Sequence, residues 1–218
     1  MKVAVIGSGG REHAICVSLK QSKKVKKIYC IPGNAGTNLI AENIDINIDN
    51  FEAIKDFSLE NKIDLIIVGP EKPLVNGIVD YFEKYKIKVF GPNMKASQLE
   101  GSKIFTKKIC KKFNIPTAKF GIFKSKTDSK KFLKNSSYPT VIKADNLASG
   151  KGVYICNDKN ESDIAIDEIF NGKFGKAKNL LIEEFLQGEE MSFFTIHDGN
   201  IFKNFSIMDC KKTHFFSI

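Results

Sequence analysis

The stretch Gly7-Ser8-Gly9-Gly10-Arg11-Glu12 closes an apolar run, Val3-Ala4-Val5-Ile6, and opens an amphipathic one. Arg11 is the single arginine among 34 basic residues, so the other 33 are lysines. Lysine solvates a surface well, but only a guanidinium offers a planar fork for a phosphate or carboxylate. Glycines ahead of a helix start leave backbone N–H groups open to an anion. Three readings of the motif stand side by side. As a dinucleotide fingerprint, G-x-G-x-x-G, it has Gly7 and Gly9 but Glu12 where the third glycine belongs. Ile31-Pro32-Gly33 also stands where a ribose-holding acid is expected. A tight turn without a ligand is the second reading. The third is an anion cradle, with Arg11 adding charge to the exposed amides. Two more loops favour it: Pro32-Gly33-Asn34-Ala35-Gly36-Thr37, and Gly69-Pro70-Glu71. Three such loops on one sheet edge suit a sugar phosphate, with amides and Arg11 on the phosphate and Glu71 on hydroxyls or an amine.

A second group of residues has the parts that a nucleoside triphosphate requires. Thr140-Val141-Ile142 delivers Lys143 straight into Asp145-Asn146-Leu147-Ala148-Ser149-Gly150-Lys151-Gly152, a run of mostly small residues between two predicted strands. That pattern reads as a loop that covers phosphates. It is not a P-loop, because Gly152 follows Lys151 where a serine or threonine is required. Lys103, in Gly101-Ser102-Lys103, is a second candidate cation. Most lysines of so basic a chain are simply solvated. Lys143 is set apart by the apolar run that leads into it.

The elements that must position these residues alternate in type. Strands are predicted at 2–7, 26–31, 62–69 and 87–91, with helices at 11–21, 51–61 and 73–85. Ala14, Val17 and Leu19 are candidate inner-face residues of the first helix, and Asp49-Asn50 a cap for the second. This alternation predicts an α/β fold with a doubly wound parallel sheet, whose ligands bind at the carboxyl ends of the strands. After Gly91-Pro92-Asn93 the pattern changes. Helices are expected at 94–99, 102–113, 127–135 and 160–170, and strands at 120–125, 140–145, 152–157 and 180–186. Residues 192–199 and 200–208 read as a hairpin around Asp198-Gly199. Two lobes follow, with a boundary near 92–102.

Composition narrows the setting. No apolar run approaches the roughly 20 residues that span a bilayer, and the N-terminus reads as a strand rather than a signal peptide. Cys16, Cys30, Cys110, Cys156 and Cys210 are odd in number and form no CxxC pair. Reduced thiols in a cytoplasmic protein are the expectation. The net charge of +9 admits nucleic-acid binding. The lysines, however, spread over predicted helix faces, and solvated surface is the preferred reading.

Six segments carry a resemblance. VIGSGGREHA, PGNAGT, IVGPEKPLV, GPNMKASQLEGSKIFTK, VIKADNLASGKGV and IEEFLQGEE stand in the order and spacing of phosphoribosylamine–glycine ligase, a family of the ATP-grasp superfamily. The match covers nearly all of 1–206. The resemblance implies a substrate-binding α/β domain at 1–101, an ATP-grasp small lobe with its linker helix at 102–190, and the truncated start of the larger ATP-grasp lobe at 191–218. It implies ATP-dependent ligation of glycine to 5-phosphoribosylamine through an acyl phosphate, in purine biosynthesis. Gly9, Gly10, Arg11, Glu12, Gly33, Asn34, Gly36, Thr37 and Glu71 would face phosphoribosylamine. Lys103, Lys143, Ser149, Gly150, Lys151 and Gly152 would serve the phosphates of ATP. Glu183, Glu184, Phe185 and Leu186 would frame the base, and Glu190 would take the ribose hydroxyls. No general base is assigned, and His13, at a helix start, reads as structural. Small-molecule substrates are the expected partners, with neither nucleic acid nor membrane, and a monomer is expected for the full-length family member. Magnesium is expected as well, its ligands and much of the glycine site lying in a part of the family beyond this sequence. Asn146 departs from the family's usual glycine, and Cys210 stands where the family has histidine. The chain is therefore expected to be a ligase fragment with little turnover by itself. The alternatives are a shortened nucleotide- or sugar-phosphate-binding protein that ligates nothing, and a basic nucleic-acid-binding protein.

Overall fold

The computed structural model describes residues 1–145, 151–175, 178–205 and 208–209. They form two compact units, Met1–Lys112 and Phe113–Ile218.

The first unit runs β1 (Lys2–Gly7), α1 (Gly10–Lys20), β2 (Lys27–Pro32), β3 (Glu42–Asn43), α2 (Phe51–Glu60), β4 (Leu65–Val68), α3 (Glu71–Val75), α4 (Ile78–Glu83), β5 (Val89–Phe90), α5 (Met94–Gly101) and α6 (Lys103–Phe113). Its five strands lie in the order β3-β2-β1-β4-β5, and every pairing is parallel. Side chains alternate across the sheet, as the period of two requires. Ala4, Ile6, Tyr29 and Ile31 pack with Ile54 of α2 and with Ile78 and Phe82 of α4. Val5, Ile28 and Cys30 pack on the other face with Cys16 of α1. Both faces are thus covered, which is why the strands read as continuous apolar runs. The strand order reverses at β1, so the carboxyl ends of β1 and β4 flank a switch point, where open α/β sheets hold their ligands.

The second unit contains β6 (Phe120–Phe123), α7 (Lys126–Leu133), β7 (Thr140–Ala144), β8 (Val153–Cys156), α8 (Lys159–Phe170) and β9 (Leu180–Glu184). The strands form an antiparallel sheet in the order β6-β9-β7-β8. Leu133, Ile142, Ala165, Ile166, Ile169, Leu180 and Ile182 build its core between sheet and helices. Beyond it, β10 (Met191–Ser192) pairs with β13 (Met208–Asp209), and β11 (Thr195–His197) with β12 (Phe202–Asn204). Gly199 takes the left-handed conformation that the second hairpin's turn requires, at φ +96°. Phe193, Phe194, Ile196, Ile201, Phe202 and Phe205 are all exposed in this region.

Several expectations are corrected. The inner face of α1 is Glu12 and Cys16, with Ile15 and Leu19 packed beside them, whereas Ala14 and Val17 face solvent. The helix begins with a buried carboxylate at Glu12, and the inward positions follow from it at helical spacing. The single helix expected at 73–85 is two, because Gly77 at φ +87° breaks it between Val75 and Ile78. The strand expected at 62–69 shortens to Leu65–Val68. Strands β3, β10 and β13 are too short to leave a periodic signal. Cys16, Cys30, Cys110 and Cys156 are free thiols, and Cys210 lies outside the described residues.

Asn50 caps α2 as expected, its side chain accepting from Ala53 N at 3.1 Å. Asn50→Ala should lower stability by about 1 kcal/mol. Urea unfolding would show this as an earlier midpoint at unchanged slope.

Candidate functional site

The first unit brings its predicted loops together at the switch point. Arg11, on the first turn of α1, donates through Nη1 to Gly69 O at 2.7 Å and to Glu71 Oε1 at 3.0 Å. These contacts join the exits of β1 and β4. Both side chains are well exposed, 61% for Arg11 and 43% for Glu71, so the pair stands open to a ligand. Burial pushes the Glu71 carboxyl up, but its own backbone amide and the Arg11 guanidinium outweigh that and hold it below the usual range. Glu71 is therefore an anion at neutral pH.

The loop after β2 is tied to the loop after β1. Asn34 Nδ2 donates to Ser8 O at 2.8 Å, Gly33 N to Gly7 O at 3.2 Å, and Cys30 Sγ to Gly7 O at 3.5 Å. Gly7, at φ +127°, and Gly33, at φ +79°, hold conformations that side chains rarely adopt. Asn34 and Thr37 spend their side chains on the loop itself. Asn34 Oδ1 accepts from Thr37 N at 2.9 Å, and Thr37 Oγ1 accepts from Asn34 N at 2.7 Å. What the loops leave for a ligand is backbone. The amides of Ser8, Gly10, Arg11, Glu12, Ala35 and Gly36 donate to no acceptor among the described residues. These donors, at a helix N-terminus and in an adjoining turn, make a site suited to an anion.

Glu12 was expected to face the substrate, and it does not. It is only 5% exposed and lies beneath the first loop, where Oε2 accepts from Gly9 N at 2.6 Å. This is the return bond of a capping box, from the third helical residue to the cap. A Cβ on Gly69 would sit 2.0 Å from Glu12 Oε1, so glycine there gives the carboxylate its room. His13 packs against Gly36, where an added Cβ would lie 3.1 Å from the ring. Asn43 went unnoticed in the sequence. Its Nδ2 donates to Asn34 O at 2.7 Å and its Oδ1 accepts from Thr37 Oγ1 at 2.8 Å. An asparagine in a two-residue strand carries no motif, and only the fold reveals it.

In the second unit, Lys143 of β7 and Glu183 of β9 form an ion pair, with Nζ 2.6 Å from Oε2. Their side chains are 2% and 3% exposed. The register that aligns Val141 with Glu183 and Lys143 with Leu181 brings the two together across the sheet. Thr140 Oγ1 donates to Glu183 O at 2.9 Å and fixes the same crossing. Glu184 is committed to the sheet edge: Oε1 accepts from Lys119 N at 2.8 Å, and its own amide donates to Lys119 O at 3.0 Å. Phe185 and Glu190 are half-buried, and Leu186 is exposed. Ala144 N donates to Gly152 O at 2.9 Å, closing the neck of the expected phosphate loop. Gly152 holds φ +78°, and Lys151 beside it is exposed. Ser149 and Gly150, with Asn146, lie outside the described residues. Lys103 opens α6 in the first unit and is half-buried.

Lys143→Met would remove the ammonium 2.6 Å from a buried carboxylate, and breaking such a pair typically costs about 3–5 kcal/mol. Adding Glu183→Gln should recover most of the loss. Chemical denaturation of the single and double variants measures the difference.

The family model for the phosphoribosylglycinamide synthetase N domain matches residues 1–100, and that for the ATP-grasp (A) domain of the same enzyme matches 101–214. A phosphoribosylamine–glycine ligase from Caldanaerobacter subterraneus subsp. tengcongensis is 49% identical over 217 residues, covering 98% of this chain and 52% of the relative. One from Brucella melitensis is 48% identical over 200 residues, covering 91% and 47%. The crystal structure of a Thermotoga maritima phosphoribosylamine–glycine ligase superposes with a TM-score of 0.77 at 30% identity, covering 95% of this chain and 49% of that one. The chain spans about half the length of the curated relatives it matches. An anion-ready switch point in one unit and a buried lysine on an antiparallel sheet in the other thus fall within consecutive domains of one family, and the chain belongs to the phosphoribosylglycinamide synthetases.

Proposed function

We propose that the protein takes part in ATP-dependent ligation of glycine to 5-phosphoribosylamine, and that these 218 residues supply the sugar-phosphate cradle and part of the nucleotide site. The observation that carries this reading is the meeting of three loops at the switch point, joined by the Arg11 bonds to Gly69 O and Glu71 and by the Asn34 bond to Ser8 O. The ordered amides of Gly10, Arg11 and Gly36 suit a phosphate. Glu71, held as a carboxylate, suits hydroxyls or the amine of the sugar, with Gly9, Gly33, Asn34 and Thr37 shaping the loops behind them.

In this reading the glycine carboxylate attacks the terminal phosphorus of ATP and ADP leaves. The amine of phosphoribosylamine then attacks the acyl carbon of the resulting acyl phosphate, and phosphate departs. The contribution of this chain is positioning and charge neutralisation. Lys143, Lys151 and Lys103 provide cations for the triphosphate, with Ser149, Gly150 and Gly152 in the covering loop. Glu183, Glu184, Phe185 and Leu186 border the base, and Glu190 takes the ribose hydroxyls. Glu183 also holds Lys143 in place, so the lysine is ordered before nucleotide arrives. Among the described residues no group of three or more His, Cys, Asp or Glu side chains could hold a metal ion. The same proposal divides the chain at 1–101, 102–190 and 191–218, and places the whole protein in the cytoplasm as a monomer.

Calorimetry tests the reading with two stable probes. Ribose 5-phosphate, standing in for the labile amine, should bind the wild-type chain, and Arg11→Met should weaken it about tenfold or more through loss of a charged hydrogen-bonding group. Absence of ribose 5-phosphate binding would overturn the cradle. Glu190→Ala should weaken ADP about tenfold or more, because it removes charge-assisted bonds to the ribose. Unchanged ADP affinity would remove Glu190 from the site.

A further inference from the structure

The side chain of Asn43 bonds to both ends of the second glycine loop, at Asn34 and at Thr37. The residue lies in β3, an edge strand of two residues held by β2. Its register is fixed by pairing with Cys30, and Ile44 N adds a bond to Cys30 O at 2.9 Å. From that position the carboxamide uses both ends. Nδ2 donates to the carbonyl of Asn34 at 2.7 Å, and Oδ1 accepts from the hydroxyl of Thr37 at 2.8 Å.

The chemistry of these partners leaves little freedom. The Thr37 hydroxyl has one proton, and its oxygen also accepts from Asn34 N. Two acceptors lie within its reach, Asn43 Oδ1 at 2.8 Å and Asn34 O at 2.9 Å, and the second already accepts from Asn43 Nδ2, so the carboxamide touches both acceptors of that proton. Gly33 adds a steric requirement, since a Cβ there would lie 2.2 Å from Asn43 Oδ1. The carboxamide thus occupies the space that the missing side chain of Gly33 provides. Asn34, held from below by Asn43, passes the constraint on: its own Nδ2 reaches Ser8 O at 2.8 Å, in the first loop. Hydrogen bonds therefore run from β3 through Thr37 and Asn34 to the glycine loop that opens α1.

We infer that Asn43 is a positioning residue for the sugar-phosphate cradle, setting the second glycine loop directly and the first loop through Asn34. The inference rests on the cradle proposed above. It assigns Asn43 a role in binding without contact to the ligand, and it makes the donor end of the carboxamide essential. A carboxylate of the same size keeps the acceptor for Thr37 but turns a second oxygen toward Asn34 O.

The test uses the full 218-residue chain, with ribose 5-phosphate and ADP as separate probes in calorimetry. Asn43→Ala and Asn43→Asp should each raise the dissociation constant for ribose 5-phosphate about tenfold, in line with loss of one well-made hydrogen bond or slightly more. ADP, bound in the other unit, should keep its affinity within about twofold. Nitrogen-15 spectra should show shifted amides at Ser8 and Gly9, which Asn43 does not touch. A ribose 5-phosphate affinity within twofold of wild type in Asn43→Asp overturns the inference and leaves the cradle standing. An equal loss for both probes also overturns it, because that reports general unfolding. If Asn43→Ala does not fold, Asn43→Asp decides by the same ratio of affinities. Failure of the wild-type chain to bind ribose 5-phosphate removes the cradle itself, and with it this role for Asn43.

Discussion

The buried carboxylate of Glu12 is the constraint on which the first unit's site depends. An acid placed under a glycine loop must be satisfied there, since an unpaired buried charge is very costly. It finds its partner in Gly9 N. That bond closes the start of α1 and holds the cap residue extended, at φ −92° and ψ −176°. The same carboxylate explains why glycine stands at 7 and 69, where a Cβ would lie 2.6 and 2.0 Å from its atoms. One side chain thus shapes two loops from different strands and sets the rotation of α1 on the sheet. The opening motif is then also a frame, with its glycines making room for that carboxylate.

The second unit solves a related problem differently. A lysine in the middle of a fully buried strand needs a counter-charge, and Glu183 provides it across the strand pair. Such pairs add little net stability over an apolar substitute. What the pairing secures is a single position for Lys143, and preorganised charge is the feature that phosphoryl chemistry rewards. In both units, then, a buried acid organises its surroundings: the start of α1 in one, a lysine in the other.

Much of this was legible in the sequence, for physical reasons that differ from place to place. The parallel sheet was readable because strands covered on both faces are apolar without interruption, as Val3 to Ile6 and Ile28 to Ile31 are. The three loops were readable because Gly7, Gly33 and Gly69 each answer a steric demand. The inner face of α1 was not, because its anchor is a glutamate and hydrophobic spacing points elsewhere. Asn43 was hidden for a related reason: two residues of edge strand have no period, and asparagine is common in surface turns of this chain. Glu12 was expected at the substrate and lies buried beneath the loop, since sequence shows that a carboxylate is near a loop and not which side of it. Lys143 and Glu183 were each picked out in the sequence, but their direct contact required the register of β7 against β9.

Strand β7 has one more consequence. It is hydrogen-bonded on both sides, by β8 and β9, and all five of its residues are buried. Its amides should therefore exchange with deuterated water only when the whole unit opens. The Ala144 N to Gly152 O bond, and a longer one from Asp145 N to Asn179 O at 3.4 Å, carry the hydrogen bonding past Lys143. The lysine thus belongs to the backbone of its unit that opens last, and its charge is held in place for as long as that sheet is intact.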